Sequence, residues 1–345
     1  MGVKDLMKVI KDYAPSAVYN THINTFKNKK IAIDTSIWAY RKYIELLPVY
    51  IEENEEENSN EFWIVRWEPF RKRWLGAMLE IAYKFLKAEI TPIFIFEDTS
   101  APIKLDEQER REEKRIKSEE NFQQLQKEFE ELSGRFERSD RMEKYRKAFV
   151  NQIRFDYTFN QDLYKVLKAL QVPAYYSVEE SDLLISSLMK QEIIDAVYST
   201  DTDLIVYGIP YLITGMFGQY FSVVKTETFL TETSFTTDQL IDLAILLGTD
   251  YNRRVKGVGP VNSMRLISTY KKLELIPSKY YTSDSRRNIV RKRFKVIPQY
   301  ETLLRRSENE EIFFDIDYDE IINNGAERLE KFRLKERWEK ILSTS

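Results

Sequence analysis

The chain has 345 residues, 43% of them hydrophobic, enough to bury a large α/β core, and its 53 basic and 56 acidic residues nearly cancel to a formal charge of -3. Affinity for a polyanion must therefore come from local patches rather than from a global field. Zero cysteines exclude disulfides, thiolate catalysis and sulfur-ligated zinc, and a single histidine, His22, excludes multi-histidine metal sites, which leaves chemistry to carboxylates and lysines.

Met1-Gly2-Val3-Lys4-Asp5 lacks the apolar run of a signal peptide, and no stretch of about 18 apolar residues predicts a membrane span, so an intracellular protein without membrane contact is expected. Residues 31–34 (Ile-Ala-Ile-Asp) and 92–98 (Pro-Ile-Phe-Ile-Phe-Glu-Asp) are short apolar runs ending in an acid, as buried parallel strands do. Residues 52–61 are polar and acidic, without apolar period, and predict a solvated loop. Phe70 to Lys87 and Phe159 to Leu170 have helical period. Between them, residues 104–155 are dense in Lys, Arg and Glu around a thin apolar stripe (Ile116, Phe122, Leu125, Phe129, Leu132). That pattern predicts helices projecting into water, or a coiled-coil-like hairpin for a protein partner. Val172 to Tyr176 and Ala196 to Thr200 repeat the strand pattern, and 204–214 with 220–229 read as strand or hairpin. Residues 238–275 return to helix, broken at Gly248-Thr249-Asp250-Tyr251 and at Gly257-Val258-Gly259-Pro260. Arg286 to Lys295 is the most basic stretch. Alternating strands and helices predict an α/β fold, a central, mostly parallel twisted sheet flanked by helices. Its ligand site belongs at the carboxyl ends of the strands.

The acids fall at those ends. A lone Asp34 after a strand would be an ordinary helix N-cap. Several strand ends offering acids to one edge change that reading: Asp34, Asp98, the pair Glu180 and Asp182 at a helix start, the pair Asp201 and Asp203 after a strand, and Asp250. Two unit charges about 4 Å apart repel by roughly 4 kcal/mol at an effective dielectric near 20. Such a cluster must take up protons or bind cations, and oxygen donors without sulfur or imidazole point to Mg²⁺ or Mn²⁺. Paired ions of that kind serve phosphodiester hydrolysis.

Gly257-Val258-Gly259-Pro260, with Lys256 and Arg265 beside it, could turn backbone N–H groups toward a phosphate, or could be a plain helix–helix turn. With Arg253, Arg254 and the basic stretch it suits a non-specific duplex grip. Arg66-Trp67 to Arg71-Lys72-Arg73-Trp74 mixes cations with rings and suits either a stacking surface or the core.

In order along the chain, these pieces resemble the flap endonuclease branch of the structure-specific 5′ nucleases, the XPG/Rad2-like superfamily. The motifs are Met-Gly-Val-Lys-Asp-Leu, Ile-Ala-Ile-Asp34-Thr-Ser with Tyr40, and Phe-Glu-Asp98 with Pro102 and Lys104. Val-Glu-Glu180-Ser-Asp182, Ser-Thr-Asp201-Thr-Asp203 and Leu-Leu-Gly-Thr-Asp250-Tyr with Gly-Val-Gly-Pro follow, and residues 321–329 are similar to the family's closing helix. The resemblance implies a PIN-like nuclease core with a helical arch and a helix-two-turns-helix region. The segments would be a nuclease region 1–103, an arch 104–155, a second nuclease region 156–235, the helix-two-turns-helix and C-terminal helices 236–335, and a tail 336–345.

The implied activity is structure-specific 5′ flap cleavage of DNA near single-strand/duplex junctions by two metal ions, in replication and repair. Other branches remain as alternatives (5′ exonuclease, bubble endonuclease, junction resolvase), as does a non-catalytic nucleic-acid-binding scaffold. Asp34, Asp98, Glu180 and Asp182 would group toward one Mg²⁺, and Asp201, Asp203 and Asp250 toward the other. Lys104 and Arg111 would contact the scissile phosphate and Tyr40 would stack on a base. Gly2 would lie where a side chain obstructs DNA. Lys256, Gly257, Gly259 and Arg265 would hold the duplex with K⁺ at the turn. Asp182 stands where flap endonucleases usually have Glu, and Lys104 lies one residue closer to Asp98 than usual. The C-terminal residues lack the clamp-binding peptide, which argues against a sliding-clamp partner. The implied partner is branched or flapped DNA, bound by a monomer. The implied compartment is the nucleus of a eukaryotic cell, or the host cytoplasm or nucleus for a viral protein.

Overall fold

A computed structural model describes the backbone of residues 2–54, 65–97, 105–131, 135–281, 285–305 and 312–344, and leaves the side chains of 105–111, 129–130, 135–142 and 285–286 outside the description. The first half contains α1 (Leu6–Tyr13), β1 (Val18–His22), β2 (Lys30–Asp34), α2 (Thr35–Glu53), α3 (Trp67–Lys87) and β3 (Thr91–Glu97), then α4 (Leu105–Glu130), α5 (Arg135–Gln152) and α6 (Thr158–Ala169). Next come β4 (Ala174–Ser177), α7 (Ser181–Lys190), β5 (Ala196–Tyr198), α8 (Asp203–Val206), β6 (Tyr211–Phe217), β7 (Tyr220–Lys225) and α9 (Thr226–Thr233). The remainder is α10 (Thr237–Leu247), α11 (Pro260–Tyr270), α12 (Ser285–Lys295), α13 (Tyr300–Leu303), β8 (Leu304–Arg305), α14 (Tyr318–Leu329) and α15 (Lys335–Thr344).

Eight strands form one sheet in the order β1-β7-β6-β5-β2-β3-β4-β8. From β6 to β4 neighbouring strands run parallel, while β1, β7 and β8 pair antiparallel at the two flanks. The parallel centre is sandwiched. Ile31, Ile33, Phe94, Phe96, Ala196 and Tyr198 face one apolar cluster, built with α2, α3, α6, α14 and α15. Ala32, Ile93, Ile95 and Val197, the alternate positions, face the other, built with α1, α7, α10 and α11. Period-two alternation with both faces buried is why these strands read as unbroken apolar runs.

Three details differ from the sequence reading. Residues 203–206 form a helical turn and 226–233 a helix, so the hairpin is confined to β6 and β7. The residues set apart as a tail form α15, whose fully buried Trp338 lies edge-on to Tyr83, with ring centroids 5.8 Å apart, and donates to the Ile322 carbonyl. Much of the acidic stretch 52–61 lies outside the described residues, and only its first three residues are seen, at the end of α2.

The two long polar helices pack on each other, with Phe122 of α4 against Tyr145 and Phe149 of α5, and α5 lies in turn against α2. Of the described stripe residues, Phe122 makes that mutual contact, whereas Ile116 stays exposed.

Candidate functional site

Strand order decides which acids meet. β2 lies between β5 and β3, so Asp34, the last residue of β2, is set beside the loop that leaves β5 at Tyr198. That loop carries Asp201 and Asp203. On the other side Glu97 of β3 is in register with Ser177 of β4, three residues before Glu180, the N-cap of α7. All these side chains therefore issue from the carboxyl ends of adjacent parallel strands.

Ser199 joins the first pair. Its Oγ donates to Asp34 Oδ2 at 2.8 Å and accepts from the Asp201 backbone nitrogen at 3.0 Å. Asp201 Oδ1 accepts from the Asp203 backbone nitrogen at 3.0 Å, which turns the two carboxylates to one side. Among the described residues, Asp182, Asp201 and Asp203, all buried, each present a carboxylate oxygen within 4.8 Å of the others. Burial pushes the Asp34 carboxyl up to about 7, with Asp201 and Glu97 adding repulsion and the Ser199 bond opposing it. Buried carboxylates this close must take up protons or a cation, and the all-oxygen donor set of Asp182, Asp201 and Asp203 could hold a hard divalent ion.

The three-acid group crosses the division that the resemblance implies, because Asp182 converges with Asp201 and Asp203. Asp250 is half-buried in the turn after α10, outside that trio. The turn is fixed by Thr249 Oγ1 donating to Asn252 Oδ1 at 2.9 Å and accepting from the Tyr251 nitrogen at 3.0 Å. Glu180 is reached from there, since the Tyr251 hydroxyl donates to Glu180 Oε2. Asp98 and Lys104 lie outside the described residues, as does the side chain of Arg111 on α4.

Gly2 sits at the heart of the site. With φ at +82°, it is in a conformation that side-chain-bearing residues rarely adopt. A Cβ there would strike Asp201 Oδ1 and come within 2.7 Å of the Asp203 nitrogen. The glycine is thus required by the carboxylates themselves, a closer constraint than room for DNA. The neighbouring residues fasten it: Thr202 Oγ1 donates to the Val3 carbonyl at 3.2 Å, and the Lys4 nitrogen donates to the Gly248 carbonyl at 3.0 Å.

The expected nucleic-acid residues are dispersed around this edge. Tyr40 of α2 is 53% exposed and lies edge-on to Phe155, with ring centroids 6.4 Å apart. Lys256 and Arg265 are exposed, Arg265 lying 5.7 Å from the Tyr280 ring centroid. Gly257 has φ +77° and needs to be glycine for that turn. Gly259, the N-cap of α11, has an ordinary φ of -85° and open space where a Cβ would be, so the fold itself does not require it.

The expected basic grip is corrected in part. Arg254 donates to the Leu247 carbonyl and pairs with Asp5 at 2.5 Å. On α12, Arg291 pairs with Asp242 and Glu274, Arg293 with Glu180 at 3.1 Å, and Lys295 with Asp238 at 2.8 Å. Much of that stretch is an internal fastener. Likewise Trp74 is core, its indole donating to the Ala39 carbonyl, while Arg71 pairs with Asp162 and Arg73 with Glu53. Trp67 alone of that segment's rings is exposed. Sequence reasoning missed Ser199, Tyr251 and Arg293; the first two stand in quoted motifs, but nothing in the sequence marks Arg293 among the five other basic residues of its stretch.

Comparison with known proteins agrees with the motifs. The family model of the XPG N-terminal domain matches residues 1–118 and that of the XPG I-region matches residues 171–250. Flap endonuclease 1 of Cryptosporidium muris is 26% identical over 290 residues, covering 80% of this chain and 57% of the relative. The Homo sapiens flap endonuclease 1 is 26% identical over 291 residues, covering 81% and 70%. The chain thus spans between 57% and 70% of the length of these relatives. In fold it is similar to the catalytic core of Rad2 in complex with DNA substrate, with a TM-score of 0.60 at 18% identity over 99% of both chains. It is also similar to flap endonuclease-1 from Methanococcus jannaschii, with a TM-score of 0.57 at 19% identity over 96% of both. The two XPG matches together take in more than half of the sequence, and the chain belongs to the XPG family.

Proposed function

We propose that this protein is a divalent-metal-dependent, structure-specific 5′ flap endonuclease that hydrolyses DNA phosphodiesters near single-strand/duplex junctions. The observation that carries the reading is the convergence of buried Asp182, Asp201 and Asp203 at the carboxyl edge of the parallel strands, with Asp34 tied to them through Ser199. The flap endonuclease 1 relatives and the DNA-bound Rad2 core support the choice of reaction and substrate.

In this reading Asp34, Asp98, Glu180, Asp182, Asp201, Asp203 and Asp250 hold two Mg²⁺ ions, for which Mn²⁺ can substitute. Bound there, the ions supply Lewis acidity and an activated water for phosphodiester hydrolysis. The chain does the rest. Ser199 and the Asp203 nitrogen aim Asp34 and Asp201, and Gly2 leaves the space beside Asp201 and Asp203 open. Lys104 and Arg111 neutralise charge developing on the scissile phosphate. Tyr40 offers a ring face to an unpaired base. Lys256, Arg265 and the Gly257–Gly259 turn contact duplex phosphates, with K⁺ at that turn.

A panel of labelled flap, nicked, bubble and four-way DNA substrates, incubated with Mg²⁺ or EDTA, tests this. Wild type should cut the flap preferentially, with EDTA abolishing cleavage. Asp201→Asn should lose at least about 10³-fold in turnover while binding the flap with near-normal affinity. Cleavage that survives EDTA, or an equally active variant, would refute the mechanism; cutting of four-way junctions alone would refute the branch.

A further inference from the structure

Arg293 is a basic residue in an unusual place. α12 carries it inward, its side chain is 13% exposed, and its Nη2 lies 3.1 Å from Oε2 of Glu180, itself 3% exposed. The guanidinium stands 4.8 Å from the centroid of the Tyr251 ring, and the hydroxyl of that tyrosine donates to the same Glu180 oxygen. Phe294, the next residue, is buried against Tyr207 and Tyr251, with ring centroids at 4.7 and 6.2 Å, so the arginine has little freedom to swing away. Further fasteners hold the helix itself: Arg291 on buried Asp242, and Lys295 on Asp238. One cation is therefore locked against the acid edge by the packing of its own helix.

We propose that Arg293 is a resident counter-charge of the carboxylate centre, a positioning residue that acts through Glu180 and competes with divalent ions for the field of the acids. A group of buried carboxylates without compensation opposes folding. A fixed guanidinium relieves part of that opposition before any ion arrives. The same positive charge then repels an incoming dication, so the centre binds metal more weakly than its acids alone would. Arg293 thus trades affinity for metal against stability of the metal-free fold. The inference rests on the reading of Asp182, Asp201 and Asp203 as metal ligands.

The two effects have opposite signs, and this separates a counter-charge from a mere packing element. Removing it should lower the melting temperature in EDTA yet tighten metal binding, whereas a general packing defect lowers both. The experiment compares wild type, Arg293→Met, Arg293→Lys, Glu180→Gln and the Met/Gln double variant by melting in EDTA and by calorimetric titration with Mn²⁺ in the absence of DNA. Arg293→Met should melt roughly 5 °C or more below wild type and bind Mn²⁺ about tenfold more tightly. Arg293→Lys, which keeps the charge, should stay close to wild type in both. In the Glu180→Gln background the methionine substitution should cost less than about 2 °C, because the charge it compensated is gone. Mn²⁺ affinity that is unchanged or weaker in Arg293→Met, or an equal melting loss in both backgrounds, would overturn the proposal. Wild type that binds no Mn²⁺ would instead defeat the underlying metal-site reading.

Discussion

Two charged regions of the molecule are built on opposite plans. At the carboxyl edge of the sheet, Asp34, Asp182, Asp201 and Asp203 arrive from three separate places in the sequence and are buried together, like beside like. Along α12 the reverse holds: Arg291, Arg293 and Lys295 follow one another closely and are each taken up by a different acid, Asp242 and Asp238 of α10 and Glu180 at the start of α7. Gathering like charges raises the energy of the fold and leaves the acids to be relieved by protons or a cation. Dispersing them into pairs fastens helices and leaves less for a ligand. Charge density along a sequence therefore misleads about where a charged ligand goes; the discriminating property is whether the partners are already inside the chain.

The sharpest way to break this contrast is at Gly2. Gly2→Ala places a methyl group against Asp201 and Asp203, and catalytic turnover should fall about 10²-fold or more while DNA binding persists. A fully active alanine variant in single-turnover assays would mean that the carboxylates are not held as described.

A second test uses pH on the metal-free protein. The Asp34 carboxyl holds its proton up to about 7 in the fold, against 3.8 for an ordinary aspartate, so the folded state binds more protons than the unfolded one between those values. Its contribution to stability is complete below the lower value and is lost as pH rises through the upper. The melting temperature in EDTA should accordingly fall between about pH 5 and pH 8. Asp34→Asn should flatten that slope, and Mg²⁺ should restore stability at the alkaline end. A slope unchanged by the substitution would remove Asp34 from the repelling set.

The fastening side is tested by Arg291→Ala, which takes from buried Asp242 its cation and leaves it the bond from the Leu273 nitrogen. Unfolding in urea should show a loss of about 2 kcal/mol. Smallest is Lys256→Ala. It should leave stability untouched, weaken flap binding a few-fold, and reduce the salt dependence of binding by about one unit of slope.

The acid edge was legible in the sequence because its signal is local. An apolar run stopped by an acid, as at Ile31–Asp34 or Ala196–Asp201, marks both the strand and the end at which the site forms, and the parallel order then brings the ends together. Helices α3, α6, α10 and α11 were legible from period and from their Gly breaks. What escaped is long-range pairing. Arg254 and Arg293 look like ligand-binding cations until Asp5 and Glu180 are found beside them, 249 and 113 positions away. α15 escaped for a similar reason: a short polar segment holding one tryptophan has weak helical period, and its order comes from Trp338 inserting beside Tyr83.

The fastening of residues 2–5 has a temporal meaning. Val3 receives Thr202, Lys4 reaches Gly248, and Asp5 reaches Arg254, so residues 3–5 wait during synthesis for partners about 200 to 250 positions later. Closing contacts of that span is entropically slow. A chain emerging from the ribosome cannot fasten residues 2–5 beneath Asp201 and Asp203 until Arg254 has been made, so the acid edge closes only after both ends of that long span are present.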